Sequence, residues 1–246
     1  MTVLGPTPPT SGSATTICWC GDTCLRVFFG AVQAGEALKR VVLLHRRLCL
    51  QPPEGFLDAT PAYATLLIRF DPRVDWKKAE NTVRDLVESM NDSKTDSLGT
   101  SADRVVEIPV CYESAFAPDL EGLASEIGLS ISDTIALHSG AEYNVAFVGF
   151  MPGFPYLLGL PEKLHSARLA RPRVRVPSGS VGIAGGQTGI YPRETPGGWK
   201  LIGRTPLRLF DASKPAPSLF SPGDRVRFVP IDGQRFATLA EKERAR

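Results

Sequence analysis

Turn residues interrupt the second half of the chain at short intervals. From Met151 onward, short apolar runs alternate with glycine- and proline-rich turns, as in VRVP, SVGIAG, WKLIG, LRLFD and DRVRFVP. No segment of this region repeats apolar residues at convincing helical spacing. Short strands separated by frequent turns are typical of a β-barrel or a β-sandwich, so the pattern restricts this half to one of these two architectures.

The densest turn region, GGQTGIYPRETPGGWKLIGRTP at 185–206, holds six glycines and three prolines in 22 positions. It also holds Tyr191, Trp199 and Ile202, which a linker does not need. Glycines let backbone N–H groups approach a ligand closely. Further donors are present in the side chains of Gln187, Thr188, Tyr191, Lys200 and Arg204. Composition leaves two interpretations open, a piece of scaffold and the wall of a binding site.

The first half has a different pattern. Two short strands flank the Gly21-Asp22 turn, and a helix follows over QAGEALKRVVLLHRRL with Leu38, Val41, Val42 and Leu48 on one face. The segment FLDATPAYATLLIRFD is extended and broken at Pro61. A second amphipathic helix spans 75–90, with Trp76, Val83, Leu86 and Val87 facing inward. This order predicts a small α+β layer.

The polar segment NDSKTDSLGTSAD at 91–103 separates the two patterns and predicts a domain boundary. We expect a disordered tail over 1–14, an α+β domain over 15–103, a second domain over 104–238 and a charged, solvated tail over 239–246. In the second domain, Ser130 and Asp133 stand at capping-box spacing before a helix, and EYNVAFVGF predicts a strand.

Charge and hydropathy exclude several classes of partner. The net charge of +2 gives no reason to expect a nucleic acid or a membrane surface, and the apolar runs are too short to span a bilayer. The first residues lack Lys and Arg, so they predict no secretory signal, and we expect the protein in the cytoplasm. The cluster Cys18, Cys20 and Cys24 lacks zinc-site spacing, and we interpret these thiols as small buried hydrophobes rather than as metal ligands.

Several catalytic motifs are absent from the sequence. The chain contains no G-K dipeptide and therefore no Walker A loop. Ser180 lacks the glycine at position 178 that a nucleophile elbow needs. Three widely spaced histidines make a zinc enzyme a poor interpretation, so no metal site is predicted.

Three further features allow both a functional and a structural interpretation. GFMPGFPYL at 149–157 suits an apolar pocket rim or a turn packed into the core. RPRVRVP at 171–177 presents a row of arginines on one strand face, suited to carboxylate or phosphate ligands or to a solvated surface. His138 is near a helix end and has a pKa suited to proton transfer, although single histidines are more often structural.

Two long segments, HSGAEYNVAFVGFMPGFPYLLGLP at 138–161 and RPRVRVPSGSVGIAGGQTGIYPRETPGGWKLIGRTPLRLFD at 171–211, resemble the family of the 5-oxoprolinase B subunit. The family is also called allophanate hydrolase subunit 1 or KipI-like and carries the carboxyltransferase C/D-type domain. GDTCLRVFFG and IPVCYESAFAPDLEGLA add weaker similarity, so the resemblance covers roughly 17–230.

The resemblance implies a small α+β N-terminal domain followed by a cyclophilin-like β-barrel. It implies ATP-dependent opening of 5-oxoproline to glutamate, carried out with separate A and C subunits and without activity of this chain alone. The resemblance also implies two alternative functions. One is inhibition of a sensor histidine kinase, and the other is action in a complex on another amide such as urea or allophanate.

From the resemblance we expect a site on one rim of the barrel, with ATP shared among the subunits. His138, Lys200 and Arg204 are the expected catalytic residues. The expected anion- and substrate-binding residues are Arg173, Gly185, Gly186, Gln187, Thr188, Tyr191, Gly197, Gly198 and Trp199. The expected pocket walls are Phe150, Pro152, Gly153, Phe154 and Tyr156. No residue is a convincing nucleophile, which favours a half-site completed by the C subunit.

Overall fold

The computed structural model describes residues 15–30, 34–92 and 104–245. The chain divides into two compact units, residues 1–98 and 99–246. The tail predicted over 1–14 and most of the boundary predicted over 91–103 lie outside the described residues.

The first unit is an antiparallel sheet with two helices. Its strands are arranged in the order β1-β2-β4-β3. The elements are β1 (Thr16–Cys20), β2 (Cys24–Phe28), α1 (Ala34–Leu50), β3 (Phe56–Ala62), β4 (Thr65–Phe70) and α2 (Trp76–Asp92). This succession confirms the predicted strand–strand–helix–strand–strand–helix pattern.

The core of the first unit lies between the sheet and its helices. It includes the predicted α1 face, because Leu38, Val41, Val42 and Leu48 are all buried. Two expectations are wrong. Trp76 is 54% exposed at the first position of α2, and Pro61 lies within β3 instead of breaking it. Proline is tolerated there because β3 is an edge strand.

The prediction that the cysteines of the first hairpin are buried is wrong. Cys20 is exposed, and Cys18 and Cys24 are only partly covered. Cys20 and Cys24 are opposite each other in the strand register of the hairpin, and both are free thiols. An Arg26 guanidinium N–H donates to the Cys18 Sγ at 3.3 Å. Among the described residues, no three His, Cys, Asp or Glu side chains are grouped so that they could hold a metal ion.

The second unit is built on a closed barrel. Seven strands follow one another in the order β10-β7-β6-β13-β5-β12-β9. The barrel confirms the predicted fold class; the pairing of β10 with β9 closes it, and β13 pairs in parallel with β5. Strands β8 and β11 form a separate two-stranded sheet. The bounds of the strands are β5 (Val105–Cys111), β6 (Tyr143–Val148), β7 (Pro155–Leu158), β8 (Arg173–Val176), β9 (Ser180–Ala184), β10 (Gln187–Ile190), β11 (Thr195–Gly197), β12 (Lys200–Arg204) and β13 (Arg225–Ile231).

Three helices accompany the barrel: α3 (Leu120–Glu126), α4 (Ile131–Gly140) and α5 (Gly233–Arg244). The predicted cap of α4 is confirmed, since the Asp133 N–H donates to Ser130 Oγ at 3.0 Å. Helix α5 extends into the charged segment predicted as a solvated tail over 239–246, and none of its residues is buried. The Asp232 side chain caps α5 by accepting from the Arg235 N–H at 2.7 Å. No helix in the described ranges is long and apolar enough to cross a membrane.

Candidate functional site

Aromatic rings from three segments meet on one side of the barrel. We call Phe150, Phe154, Tyr156, Tyr191 and Trp199 the aromatic cluster. The Phe154 ring lies at its centre, at 5.5 Å from Trp199 and 5.2 Å from Tyr191, both nearly perpendicular. Edge-to-face contacts of this kind stabilise a pair beyond the area that it buries. The predicted gathering of these segments is therefore present in the fold.

The cluster has a buried layer and an accessible layer. Phe154, Tyr191 and Trp199 are buried, so they support the surface from below and do not form an open wall. Phe150 is 63% exposed and its ring meets that of Phe154 at 5.6 Å. Tyr156 is half-buried. A ligand or partner chain that touches the cluster must therefore contact Phe150 and Tyr156 first.

Phe150 has a φ of 68°, the only positive φ of a non-glycine residue in the described parts of the chain. A left-handed conformation costs such a residue about 1–2 kcal/mol. The turn is fixed on its far side, because a side chain on Gly153 would come within 2.7 Å of Phe210 Cβ. Strain of this kind concentrates at functional sites, which makes the Phe150 turn the first candidate for contact with a ligand or partner.

Several glycines of the region make room for aromatic side chains. A Cβ on Gly189 would lie 2.9 Å from Phe154 Cζ, one on Gly182 would lie 3.0 Å from Trp199 Cβ, and one on Gly197 would lie 2.5 Å from Tyr191 Oη. The predicted role of Gly197 in approaching a ligand therefore has a simpler explanation, which is the packing of Tyr191.

The Tyr191 hydroxyl lies among cations. Burial raises its pKa, while the Trp199 backbone N–H and the charges of Arg168 and Arg173 oppose that rise. Because the Trp199 N–H donates to the phenol oxygen, the phenol proton remains available to donate to another acceptor. The area around Tyr191 is thus electropositive and apolar at once.

Arg173 is the arginine of β8 that reaches this area. Its Nη2 donates to Asp119 Oδ1 at 2.6 Å, and Asp119 Oδ2 accepts from the Leu201 N–H at 2.6 Å. The Nη1 of Arg173 is shielded from solvent and has no hydrogen-bond partner within the described residues. An unsatisfied buried donor on a charged group costs at least about 1–3 kcal/mol, so Arg173 is suited to receive an acceptor from outside the chain.

The arginines of 171–177 do not project from one face of a strand, as the sequence predicted they would. Arg175 is exposed and pairs with Glu194. Val174 is 81% exposed although Val176 is fully buried. The pairing of β8 with β11 contains an irregularity between Thr195 and Gly197, which breaks the two-residue alternation that the prediction assumed.

Lys200 forms a compact polar group with Ser166 and Glu126. The Lys200 ammonium contacts the Glu126 carboxylate and donates to Ser166 Oγ at 2.6 Å. The Ser166 hydroxyl donates to Glu126 Oε1 at 2.9 Å. The hydrogen bond from Lys200 lowers the pKa of Glu126. The Ser166 hydroxyl thus donates to a carboxylate of lowered basicity, which activates it only weakly as a nucleophile.

Two of the predicted donors are already used inside the fold. The Gly185 N–H donates to Ser166 O at 2.7 Å. The Thr188 side chain is buried and its hydroxyl donates to Gly182 O at 3.0 Å. Gly186 packs against the ring of His165, which a Cβ would approach to 2.9 Å. The expectation that 185–188 offers free donors to an anion is therefore wrong at Gly185 and Thr188.

The remaining predicted residues lie around these groups. The Gly198 carbonyl oxygen accepts a hydrogen bond from the Leu169 N–H at 2.8 Å. Pro152 belongs to the exposed part of the Phe150 turn, and Gln187 begins β10.

His138 lies inside the barrel, with 0% of its surface exposed. Its Nε2 is 3.2 Å from Thr188 Oγ1, and its Nδ1 is 2.9 Å from the Tyr112 hydroxyl. Because the Thr188 proton goes to Gly182 O, His138 carries its proton on Nε2 and accepts from Tyr112 at Nδ1. Burial lowers the pKa of His138 to about 3. A neutral ring with both nitrogens satisfied and no access to solvent does not transfer protons to a substrate, so the predicted catalytic role is wrong.

Arg204 lies at the opposite end of β12 from Lys200, about 13 Å away for four residues of extended strand. It lines a different depression, the arginine groove, of about 460 Å³. Contrary to the prediction, Arg204 therefore does not lie in one site with the aromatic cluster. The groove is lined by Ser178, Pro192, Arg204, Thr205, Pro206, Leu207, Arg208, Phe210, Phe236, Ala240, Glu243 and Arg244.

Sequence reasoning missed Asp119, Glu126, Ser166 and Tyr112. The first two lie on or beside α3, and they pair with residues 54 and 74 positions away. No local motif marks them, since an acidic residue near a short helix is ordinary. Tyr112 directly follows the strand EIPVC and carries no signal other than being aromatic.

The chain is similar to known proteins along most of its length. Residues 15–220 match the family model of the carboxyltransferase domain, subdomain C and D. The B subunit of 5-oxoprolinase from Escherichia coli O157:H7 is 58% identical over 127 residues, or 52% of this chain and 58% of that relative. The B subunit of 5-oxoprolinase from Bacillus subtilis strain 168 is 38% identical over 231 residues, or 90% of this chain and 95% of that relative.

One solved structure, that of TTHA0988, is 38% identical and superposes with a TM-score of 0.74. The match covers 85% of this chain and 40% of the other. The chain thus spans less than two thirds of the length of TTHA0988 and of the E. coli relative, and nearly the whole length of the B. subtilis one.

Proposed function

This chain belongs to the family of the carboxyltransferase domain, subdomain C and D, and to its 5-oxoprolinase B-subunit members, and on this premise we propose that it is the B subunit of an ATP-dependent 5-oxoprolinase. With separate A and C subunits it opens 5-oxoproline to glutamate in the cytoplasm. The observation that carries the proposal is the 38% identity to the B. subtilis B subunit over 95% of that relative.

The geometry of the aromatic cluster suits a small cyclic amide that carries a carboxylate. Phe150 and Tyr156 offer ring surfaces to the apolar part of the lactam. Arg173 offers an unsatisfied guanidinium N–H to the carboxylate. The Tyr191 hydroxyl retains a proton for an acceptor such as the lactam oxygen.

The same geometry favours a site shared with a partner protein. Tyr191 and the Arg173 Nη1 are buried, so neither group lies open at the surface to a free ligand. The carboxylate that accepts from the Ser166 hydroxyl belongs to Glu126, and the hydrogen bond from Lys200 lowers the pKa of Glu126, so it is a weak base. We therefore propose that the C subunit docks against the strained Phe150 turn and supplies the groups that attack the lactam.

ATP does not fit the aromatic cluster of this chain. A triphosphate needs several convergent unpaired donors and a metal ion with its ligands. Here Lys200 is paired with Glu126, the Gly185 N–H is occupied, and, in the described part of the chain, the one buried nitrogen of Arg173 without a partner is Nη1. We accordingly propose that the phosphates of ATP bind to the partner proteins, and we assign no step of ATP chemistry to residues of this chain.

The test is reconstitution with the candidate A and C subunits. We expect phosphate release from ATP that requires 5-oxoproline and all three proteins. Arg173→Gln removes the charged donor and should lower kcat/KM at least tenfold, since a hydrogen bond to a charged group contributes about 1.5–3 kcal/mol.

Arg175→Gln is the matched control. It removes the same charge from the same strand, but Arg175 is exposed and paired with Glu194. Its kcat/KM should stay within about twofold of the wild type. Phosphate release that ignores 5-oxoproline contradicts the proposed activity, whereas equal effects of the two substitutions contradict the placement of the site.

A further inference from the structure

The arginine groove has the size and the lining of a ligand site. Its volume of about 460 Å³ lies within the range of about 300–1,000 Å³ that is typical of small-molecule pockets. It is formed between the end of β12, the segment 205–210 and the second half of α5. All of these elements belong to the second unit.

Positive charge predominates in the groove. Arg204, Arg208 and Arg244 line it together with one acidic residue, Glu243. The Arg208 guanidinium reaches Asp211 only at 3.5 Å, and the Arg244 Nε reaches Ala240 O only at 3.4 Å. Both arginines are thus weakly held and can turn toward a ligand.

Arg204 is the fixed cation of the groove. Its Nε donates to Ser178 O at 2.7 Å, which holds the guanidinium in place. In the part of the chain that the structure describes, neither terminal nitrogen of Arg204 has a hydrogen-bond or ion-pair partner. Partial burial lowers the pKa of Arg204, so its charge is incompletely hydrated and an anion that binds to it meets less competition from water.

The apolar walls of the groove are held by packing. The Phe236 ring lies 4.4 Å from the Phe116 ring. Phe210 packs against the glycine of the Phe150 turn, where a Cβ on Gly153 would come within 2.7 Å of Phe210 Cβ. Leu207 and Pro206 add further apolar surface. A ligand that fits has an apolar body next to its charge.

The choice of anion follows from the helix end. The last turns of α5 line the groove, and the negative end of a helix dipole disfavours anions. Glu243 adds a further negative charge. The C-terminal end of α5 and the Glu243 carboxylate both repel a phosphate dianion, and no helix N-terminus among the lining residues compensates for this repulsion. A carboxylate carries one charge, and its planar shape matches the two free N–H groups of the Arg204 fork.

We infer that the arginine groove binds a monocarboxylate with an apolar body, through the terminal nitrogens of Arg204 and between Phe210 and Phe236. This site is separate from the aromatic cluster and does not depend on the proposed function. The carboxylate belongs either to a free small acid or to the C-terminal residue of a peptide chain.

The experiment is a calorimetric and NMR titration of the full chain with three probes. Benzoate represents a free acid, N-acetyl-glycyl-phenylalanine a chain terminus, and its C-terminal amide lacks the charge. We expect saturable binding of at least one carboxylate and none of the amide. The tighter of the two carboxylates identifies the source. Saturable binding of neither carboxylate, or tighter binding of inorganic phosphate, overturns the inference.

Substitutions locate the binding. Arg204→Gln should raise the Kd at least tenfold. Arg235→Gln removes the same charge from α5 outside the groove lining and should change the Kd less than twofold. If Arg204→Gln does not fold, Arg244→Gln at the end of α5 serves in its place, with an expected threefold or greater rise in Kd. Equal effects of the groove and control substitutions contradict the site.

Discussion

Substituting His138 tests whether the histidine is a neutral part of the barrel core. The ring accepts from Tyr112 and donates to Thr188 at full burial. Its pKa of about 3 lies below the ordinary value of 6.5. The perturbation is His138→Gln, which keeps an acceptor and a donor but cannot titrate.

The direction of the pH dependence follows from the two pKa values. Below pH 6.5 the unfolded chain binds a proton on His138, and the native barrel does not until about pH 3. The contribution of the neutral His138 ring to the free energy of unfolding is therefore fully present above pH 7. It is lost as the pH falls from 6.5 toward 3. Each pH unit in this window costs about 1.4 kcal/mol, which amounts to about 2 kcal/mol at pH 5.

The assay is urea unfolding at pH 7 and pH 5, followed by 19F NMR of fluorotryptophan. Trp199 is in the second unit, while Trp19 and Trp76 are in the first, so the Trp199 resonance reports on the barrel alone. We expect the wild type to lose about 2 kcal/mol more than His138→Gln between the two pH values. Carboxylates contribute equally to both proteins and cancel in the difference. An identical pH dependence for the two proteins refutes the assignment of a buried neutral histidine.

Two matched pairs of substitutions test the packing around the site. Gly179→Ala places a Cβ 2.1 Å from Thr205 O at a φ of 81° and should cost about 3 kcal/mol or more. Gly185→Ala has open space at a φ of 58° and should cost about 1–2 kcal/mol, so equal urea midpoints contradict the proposed difference in packing. Trp199→Ala should cost about 3–5 kcal/mol, and the exposed Trp76→Ala less than about 1 kcal/mol. Circular dichroism in urea measures both, and a larger loss for Trp76→Ala speaks against the buried layer.

Local patterns in the sequence were sufficient for the main architecture. The α1 face and the α4 cap depend on residues no more than ten positions apart, and both are confirmed. The density of turns in the second half predicted a barrel or a sandwich, and the family resemblance then favoured the barrel. Helix α5 was missed because none of its residues is fully buried, so it lacks the apolar face by which helices are recognised.

The site was predicted in part. The aromatic segments do meet, because each contains apolar rings that have to be buried. The roles of individual polar residues depend on tertiary partners that the local sequence does not reveal. His138 is enclosed by Tyr112 and Thr188, and Lys200 is held by Glu126. Arg204 and Lys200 were expected in one site from the family resemblance, but an extended strand places them at its opposite ends.

The most direct test of the proposed function is the product balance of the reconstituted complex. Labelled 5-oxoproline and ATP are supplied to this chain with its candidate A and C subunits, and glutamate and phosphate are measured together. We expect equal amounts of the two products, and neither product when this chain is omitted. Glutamate formation without this chain, or phosphate release without glutamate, contradicts the assignment as the B subunit of a 5-oxoprolinase.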